Sequence, residues 1–175
     1  MITKEQQIWL DHLSNVSKIK IVSHDPTCEE KFQFIKQVIQ NHLGHKQSVE
    51  HCGASRLGIS GQDEIDVYVP VSANTFDETV CAIIHLFGDP KSNYPLKRAR
   101  FVTKVDDKHI DVFVINSEDD GWKDLVIFQS YVLSHPNALE DYRLLKEKSA
   151  GLSTREYYRR KIELINEILV QAKEK

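Results

Sequence analysis

The apolar positions of this chain change period along its length. Between residues 28 and 43, Phe32, Ile35, Val38, Ile39 and Leu43 recur at three- and four-residue spacing, which predicts an amphipathic helix. Thr27 with Glu30 has the spacing of a capping box at its start, and Gly44 is a natural stop. Further on the period drops to two. In "DEIDVYVPV", Ile65, Val67 and Val69 share one side while Glu64, Asp66 and Tyr68 share the other, as in a half-buried strand. "QSVEHC", "RARFVTKV" and "KHIDVFVI" read as further strands, the last two separated by the turn-like Asp106-Asp107, with a helix near residues 75–87.

The ends of the chain are helical in pattern. Ile8, Trp9 and Leu13 place a helix within residues 3–16, and "IKIVSHDPT" reads as a short strand or extended segment stopped by Asp25-Pro26. Beyond Glu118 helices are predicted near 120–134, 137–149 and 154–173, with Asn137/Glu140 and Ser153/Glu156 spaced as capping boxes. The last helix gathers Tyr158, Ile162, Ile165 and Leu169 on one face. The expected class is α+β: a small mixed sheet of three or four strands flanked by helices, with a helical C-terminal segment. The expected organisation is one domain over 1–175, with an N-terminal helix in 1–18, a sheet-containing core in 19–118 and a helical tail in 119–175.

Composition narrows the function classes. A chain of 175 residues, 41% hydrophobic, can bury roughly 70% of its unfolded surface. Its net charge of −3 gives no push toward nucleic acid or anionic membranes. No apolar run approaches the ~18 residues that span a bilayer, and residues 1–10 are polar. Cys28, Cys52 and Cys81 are odd in number and form no Cys-x-x-Cys pair, which points to reduced thiols and a cytoplasmic protein.

The chemistry lies in the acids on the strands. Glu64 and Asp66, ~7 Å apart on one strand face, repel each other. Asp111 is the one charge within the apolar run Ile110 to Ile115, where an unpaired carboxylate is costly. If the two strands are close neighbours, the three carboxylates converge into a hard oxygen site suited to Mg²⁺ or Mn²⁺. The alternative is that Asp111 pairs with Arg98 or Arg100, or sits at a strand end near water. Upstream, Gly53-Ala54-Ser55 follows a strand; backbone N–H groups there, with the Ser55 hydroxyl, can hold phosphate oxygens. Arg98 and Arg100 face one way on their strand, either toward an anionic substrate or as charges that blunt a sheet edge. His51 reads as a structural hydrogen-bonder beneath the loop, and His109 shares a strand face with Asp111, where it is either half exposed or orients an acceptor.

This order of motifs resembles the nucleotidyltransferase superfamily: a glycine-containing turn, an acid-x-acid pair on a strand, then a third acid on another strand. More closely, residues 19–149 resemble the GrpB-like family. "IVSHDPTCEEKF" is similar to its Tyr-Asp-Pro opening, "EHCGAS" to its Glu-His-Ile-Gly-Ser-Thr, and "EIDVYV" to its Ile-Ile-Asp-Ile strand. "FQSYVLSHPNALEDYRLLK" is similar to its late Phe-Arg-Asp-Tyr-Leu…His-Pro…Tyr…Leu-Lys segment. The departures are informative. The loop "RLGISGQD" is one residue shorter and lacks the family's proline and lysine. Glu64 stands where an apolar residue is usual, Asp111 where His is common, and Gln129-Ser130 replace Arg-Asp.

The resemblance implies a metal-dependent transfer of a nucleoside monophosphate from a nucleoside triphosphate to a hydroxyl acceptor, on a small molecule or a protein, releasing pyrophosphate. It implies that Glu64 and Asp66 bridge two divalent ions, and that Asp111 completes the second site and helps deprotonate the acceptor. It implies that residues 53–55 fix the outer phosphates. A non-catalytic nucleotide-binding or adaptor module on the same fold is the alternative.

Overall fold

In the computed structural model, which describes residues 1–174, the strands and the helices that cover them lie in one of two compact units. This unit comprises residues 24–59 and 63–123. Its sheet has five strands: β1 (Glu50–Cys52), β2 (Glu64–Val71), β3 (Ser92–Tyr94), β4 (Arg98–Val105) and β5 (Lys108–Asn116), in the order β1-β2-β5-β4-β3. Only β2 and β5 pair in parallel; every other neighbour is antiparallel. The sheet is mixed, as expected, and one strand larger. β3 was missed because three polar or aromatic residues give no alternation to read.

The hydrophobic pattern explains the layers. β2 alternates half-buried and buried along its whole length, so one side chain in two belongs to the core. Ile65, Val67 and Val69 of β2, Ile110, Val112 and Val114 of β5, and Ala99 and Phe101 of β4 have no exposed surface. Against them pack α2 (Cys28–Leu43), through Phe32, Ile35 and Ile39, and α4 (Phe76–Phe87), through Phe76, Val80 and Ile83. β5 is the middle strand, and on it even Phe113 and Ile115 of the opposite face are buried, as a central strand requires. The β4–β5 hairpin closes on Asp106 and Asp107, whose φ of 47° and 63° suit a two-residue turn of the type that favours Asp and Asn.

Two expected caps are absent. Thr27 starts α2, but its hydroxyl donates to the Asp25 carboxylate at 2.7 Å instead of capping the helix. Thr27's hydroxyl and amide together hold the Asp25 carboxyl down at about 2. "IKIVSHDPT" is extended but pairs in no ladder: an isolated bridge joins Val22 to Gly61, and Ile19 exchanges backbone hydrogen bonds with Gly151 and Leu152.

The second unit comprises residues 1–23, 60–62 and those from Asp124 onward. α1 (Lys4–Asp11) opens on a capping box between Thr3 and Gln6. It buries Leu10, whereas Ile8 is exposed and Trp9 meets Tyr158 edge-on at 5.3 Å. The expected stripe of Ile8, Trp9 and Leu13 is thus not the buried one, because this helix stops short of Leu13. α6 (Pro136–Lys148) starts on Pro136 with His135 as its cap, so Asn137 lies inside the helix and its box does not form. α7 (Thr154–Lys173) keeps half of its predicted box, with Ser153 accepting from the Glu156 amide. Lys146 is only 3% exposed. Its ammonium lies 4.9 Å from the Tyr142 ring centre and donates to the Tyr157 hydroxyl at 3.1 Å. α5 (Asp120–Ser134) and α3 (Gly53–Leu57) complete the helices. No helix among the described residues is long and apolar enough to cross a membrane.

Candidate functional site

The parallel register of β2 and β5 sets Asp66 beside Asp111 and Glu64 beside His109. Paired residues of neighbouring strands point to the same side, so all four lie on the face away from α2 and α4. β4 contributes Val102 opposite Asp111 and Arg100 opposite Phe113, which brings Arg98 and Arg100 to that face as well. Further along, Tyr68 stacks on Phe113 with ring centres 4.6 Å apart, and Trp122 lies against Tyr68 at 5.5 Å. The acids therefore occupy one end of the face and an aromatic cluster the other.

Asp111 is 4% exposed. One of its oxygens, Oδ1, accepts from Arg100 Nε at 3.0 Å, has Arg100 Nη2 beside it at 3.0 Å as an ion pair, and lies 3.1 Å from His109 Nε2. The pairing weighed from the sequence as an alternative is present: Arg100 compensates the buried carboxylate. Arg98 takes a different course, its guanidinium lying 5.5 Å from the Tyr94 ring centre and 5.6 Å from that of Phe113.

One donor atom each from Glu64, His109 and Asp111 lies within 4.8 Å of the other two. Two carboxylates and an imidazole are a donor set that suits a divalent cation. His109 is the member that sequence reasoning did not count as a ligand. The signal was its position two residues before Asp111, hence on the same strand face. Asp66 shares the face but not this cluster. A Cβ built on Gly53 would lie 2.1 Å from Asp66 Oδ2, and Gly53 has φ +75°. Only glycine admits the carboxylate so close to the backbone in that conformation.

Gly53, Ala54 and Ser55 form the first turn of α3, a five-residue helix where the sequence suggested a bend. Beneath it, His51 stacks on Phe32 at 4.6 Å, its Nδ1 lies 2.9 Å from Glu29 Oε2 and its Nε2 lies 3.0 Å from Ser55 Oγ. Burial pushes the His51 pKa below its ordinary value, against the pull of Glu29. A carboxylate only accepts, so in the neutral ring Nδ1 carries the proton and Nε2 accepts from the Ser55 hydroxyl. His51 thus supports the loop from below, as expected. At the start of the central strand, Lys108 is buried between Asp25 and Asp63; burial pulls its pKa down, but its anionic neighbours more than offset this and raise it.

The family described as GrpB protein matches residues 18–171. The chain belongs to the GrpB family. Among solved structures, the conserved protein GrpB from Enterococcus faecalis is 18% identical, with a TM-score of 0.69 over 87% of this chain and 96% of that one. A structure of the Cid1 poly(U) polymerase, described as MgGTP bound, is 12% identical, with a TM-score of 0.51 over 82% of this chain and 47% of the polymerase. At these identities the likeness is one of fold, and the fold of this GrpB-family chain is nucleotidyltransferase-like. No curated protein matches the sequence.

Proposed function

We propose that this GrpB-family chain is a metal-dependent nucleotidyltransferase, moving a nucleoside monophosphate from a nucleoside triphosphate to a hydroxyl on a small molecule or protein. The observation that carries this reading is the β2–β5 register, which lines up Glu64, Asp66, His109 and Asp111 on the one sheet face that the core helices leave uncovered. Repelling acids at such a place are explained by a cation that belongs among them. Glu64 and Asp66 would hold the ion that accompanies the triphosphate, and Asp111 with Glu64 and His109 the one on the acceptor side. Mg²⁺ or Mn²⁺ there would neutralise the charge that develops on the phosphate oxygens.

The protein's own groups supply the rest. Backbone amides of residues 53–55, at the head of α3, hold the outer phosphates, and Arg98 and Arg100 on the same face neutralise them. The acceptor oxygen attacks the α-phosphorus, the bond to the bridging oxygen breaks, and pyrophosphate leaves. The hydroxyl proton passes to Asp111 Oδ2, the oxygen that Arg100 and His109 do not engage.

A second reading has its own support. Arg100 already compensates Asp111 within the protein, which suits a nucleotide-binding or adaptor module that needs no ion. The two are separated by thermal-shift titration with ATP, GTP, CTP and UTP, with and without Mn²⁺ or Mg²⁺. Stabilisation that needs both nucleotide and metal, and is lost in Asp66→Ala, is expected for the transferase. Stabilisation by nucleotide alone supports the module. Labelled triphosphates incubated with a cell extract then report transfer; absence of labelled acceptor and pyrophosphate under every condition overturns catalysis.

A further inference from the structure

We propose that the ion held by Glu64, His109 and Asp111 is a first-row transition cation such as Mn²⁺ in preference to Mg²⁺, and that Arg100 keeps the seat at Asp111 until that ion arrives. This rests on the metal-dependent reading above and deepens it by naming the ion class and the group it displaces.

The donor chemistry carries the first half. An all-carboxylate site favours hard ions that keep several waters, Mg²⁺ foremost, whereas an imidazole nitrogen adds affinity for first-row transition ions and little for Mg²⁺. Here the imidazole is built in. His109 sits two residues from Asp111 on one strand, directly beside Glu64 on the next, and its Nε2 points at Asp111 Oδ1 across 3.1 Å. A donor atom from each of the three falls within 4.8 Å of the others without rearrangement of the backbone. His109 is about one-third exposed, so a hydrated ion can reach it.

Charge balance carries the second half. Asp111 is almost wholly buried, and its Oδ1 accepts from Arg100 Nε and is ion-paired with Nη2, a partner about one-third exposed itself. A cation that water still reaches, set on a buried anion, is a displaceable counter-charge. When a divalent ion takes Asp111, Arg100 is released on the face where a triphosphate would lie, so metal arrival and a free arginine are coupled.

The test is direct binding, read without turnover. Free Mn²⁺ is followed by its solution EPR signal during titration of metal-free protein, and Mg²⁺ is added as competitor. Wild type is expected to hold Mn²⁺ at least about tenfold more tightly than Mg²⁺. His109→Gln is expected to lose that preference while Mg²⁺ affinity stays put. Arg100→Gln, with no resident cation to displace, is expected to bind Mn²⁺ more tightly than wild type. Electron spin echo modulation from a coordinated imidazole nitrogen in the wild-type Mn²⁺ complex checks the ligand without any variant, so misfolding of a mutant cannot obscure the answer. Equal Mn²⁺ and Mg²⁺ affinity, absence of the nitrogen signal, or weaker binding in Arg100→Gln each overturns the proposal. If nucleotide still binds only together with metal, the transferase reading survives that failure; if no ion promotes nucleotide binding to wild type, that reading falls too.

Discussion

Under α2 and α4, strands β2 and β5 present Ile65, Val67, Ile110 and Val112, all without exposed surface. On the other side the same two strands present Glu64, Asp66, His109 and Asp111. The first set is chosen by volume and the second by charge, yet one alternation of the backbone delivers both. Stability is therefore concentrated on one face and chemistry on the other, and a substitution should reveal which face it belongs to by what it damages.

The sharpest way to break that division is to put a charge on the wrong side. Val112→Asp buries a carboxylate with no partner among α2 and α4 side chains, and is expected to abolish cooperative folding, a loss exceeding about 4 kcal/mol, seen by circular dichroism and urea melts. Less drastic is Ile65→Ala, expected to cost roughly 2–5 kcal/mol, set against its neighbour Glu64→Ala, expected to stay within about 0.5 kcal/mol while abolishing any metal-dependent thermal shift. Similar stability losses for the two would erase the distinction.

Gly53 tests the seam between loop and acid. Gly53→Ala forces a Cβ into Asp66 at a positive φ, which should cost about 1–3 kcal/mol and remove nucleotide stabilisation together. A normal melting temperature with normal binding would mean that Asp66 has room to move.

The smallest effect concerns His51. Its folded pKa lies below the unfolded value of ~6.5, so the unfolded chain binds the proton first as pH falls. Its contribution is complete above pH ~6.5 and drains away below it. The slope of stability against pH just below about 6.5 should flatten in His51→Asn. An unchanged slope would show that the ring is not held neutral by its burial against Phe32.

How legible was this in the sequence? The β2 alternation and the apolar run of β5 are written in residue type, and the sheet class followed from them. The three acids were visible for the same reason. Their register was not, because pairing between β2 and β5 is decided by packing across a long stretch of chain. That register is also what turned His109 from a neighbour into a potential ligand. The missed caps share a cause: local competition. Asp25 takes the Thr27 hydroxyl, and Pro136 begins α6 one residue too early for Asn137 to cap it. α3 escaped notice because a five-residue helix shows too little periodicity to read.

The Asp106-Asp107 turn has one more consequence. It joins Arg100 and Asp111 through a tight hairpin, whereas Asp66 meets Asp111 only after a much longer stretch of chain has doubled back. The entropy lost on closure grows with that length, so the hairpin is the cheaper contact to form. A nascent chain can thus chaperone its own most dangerous carboxylate, sheathing it before the sheet is complete.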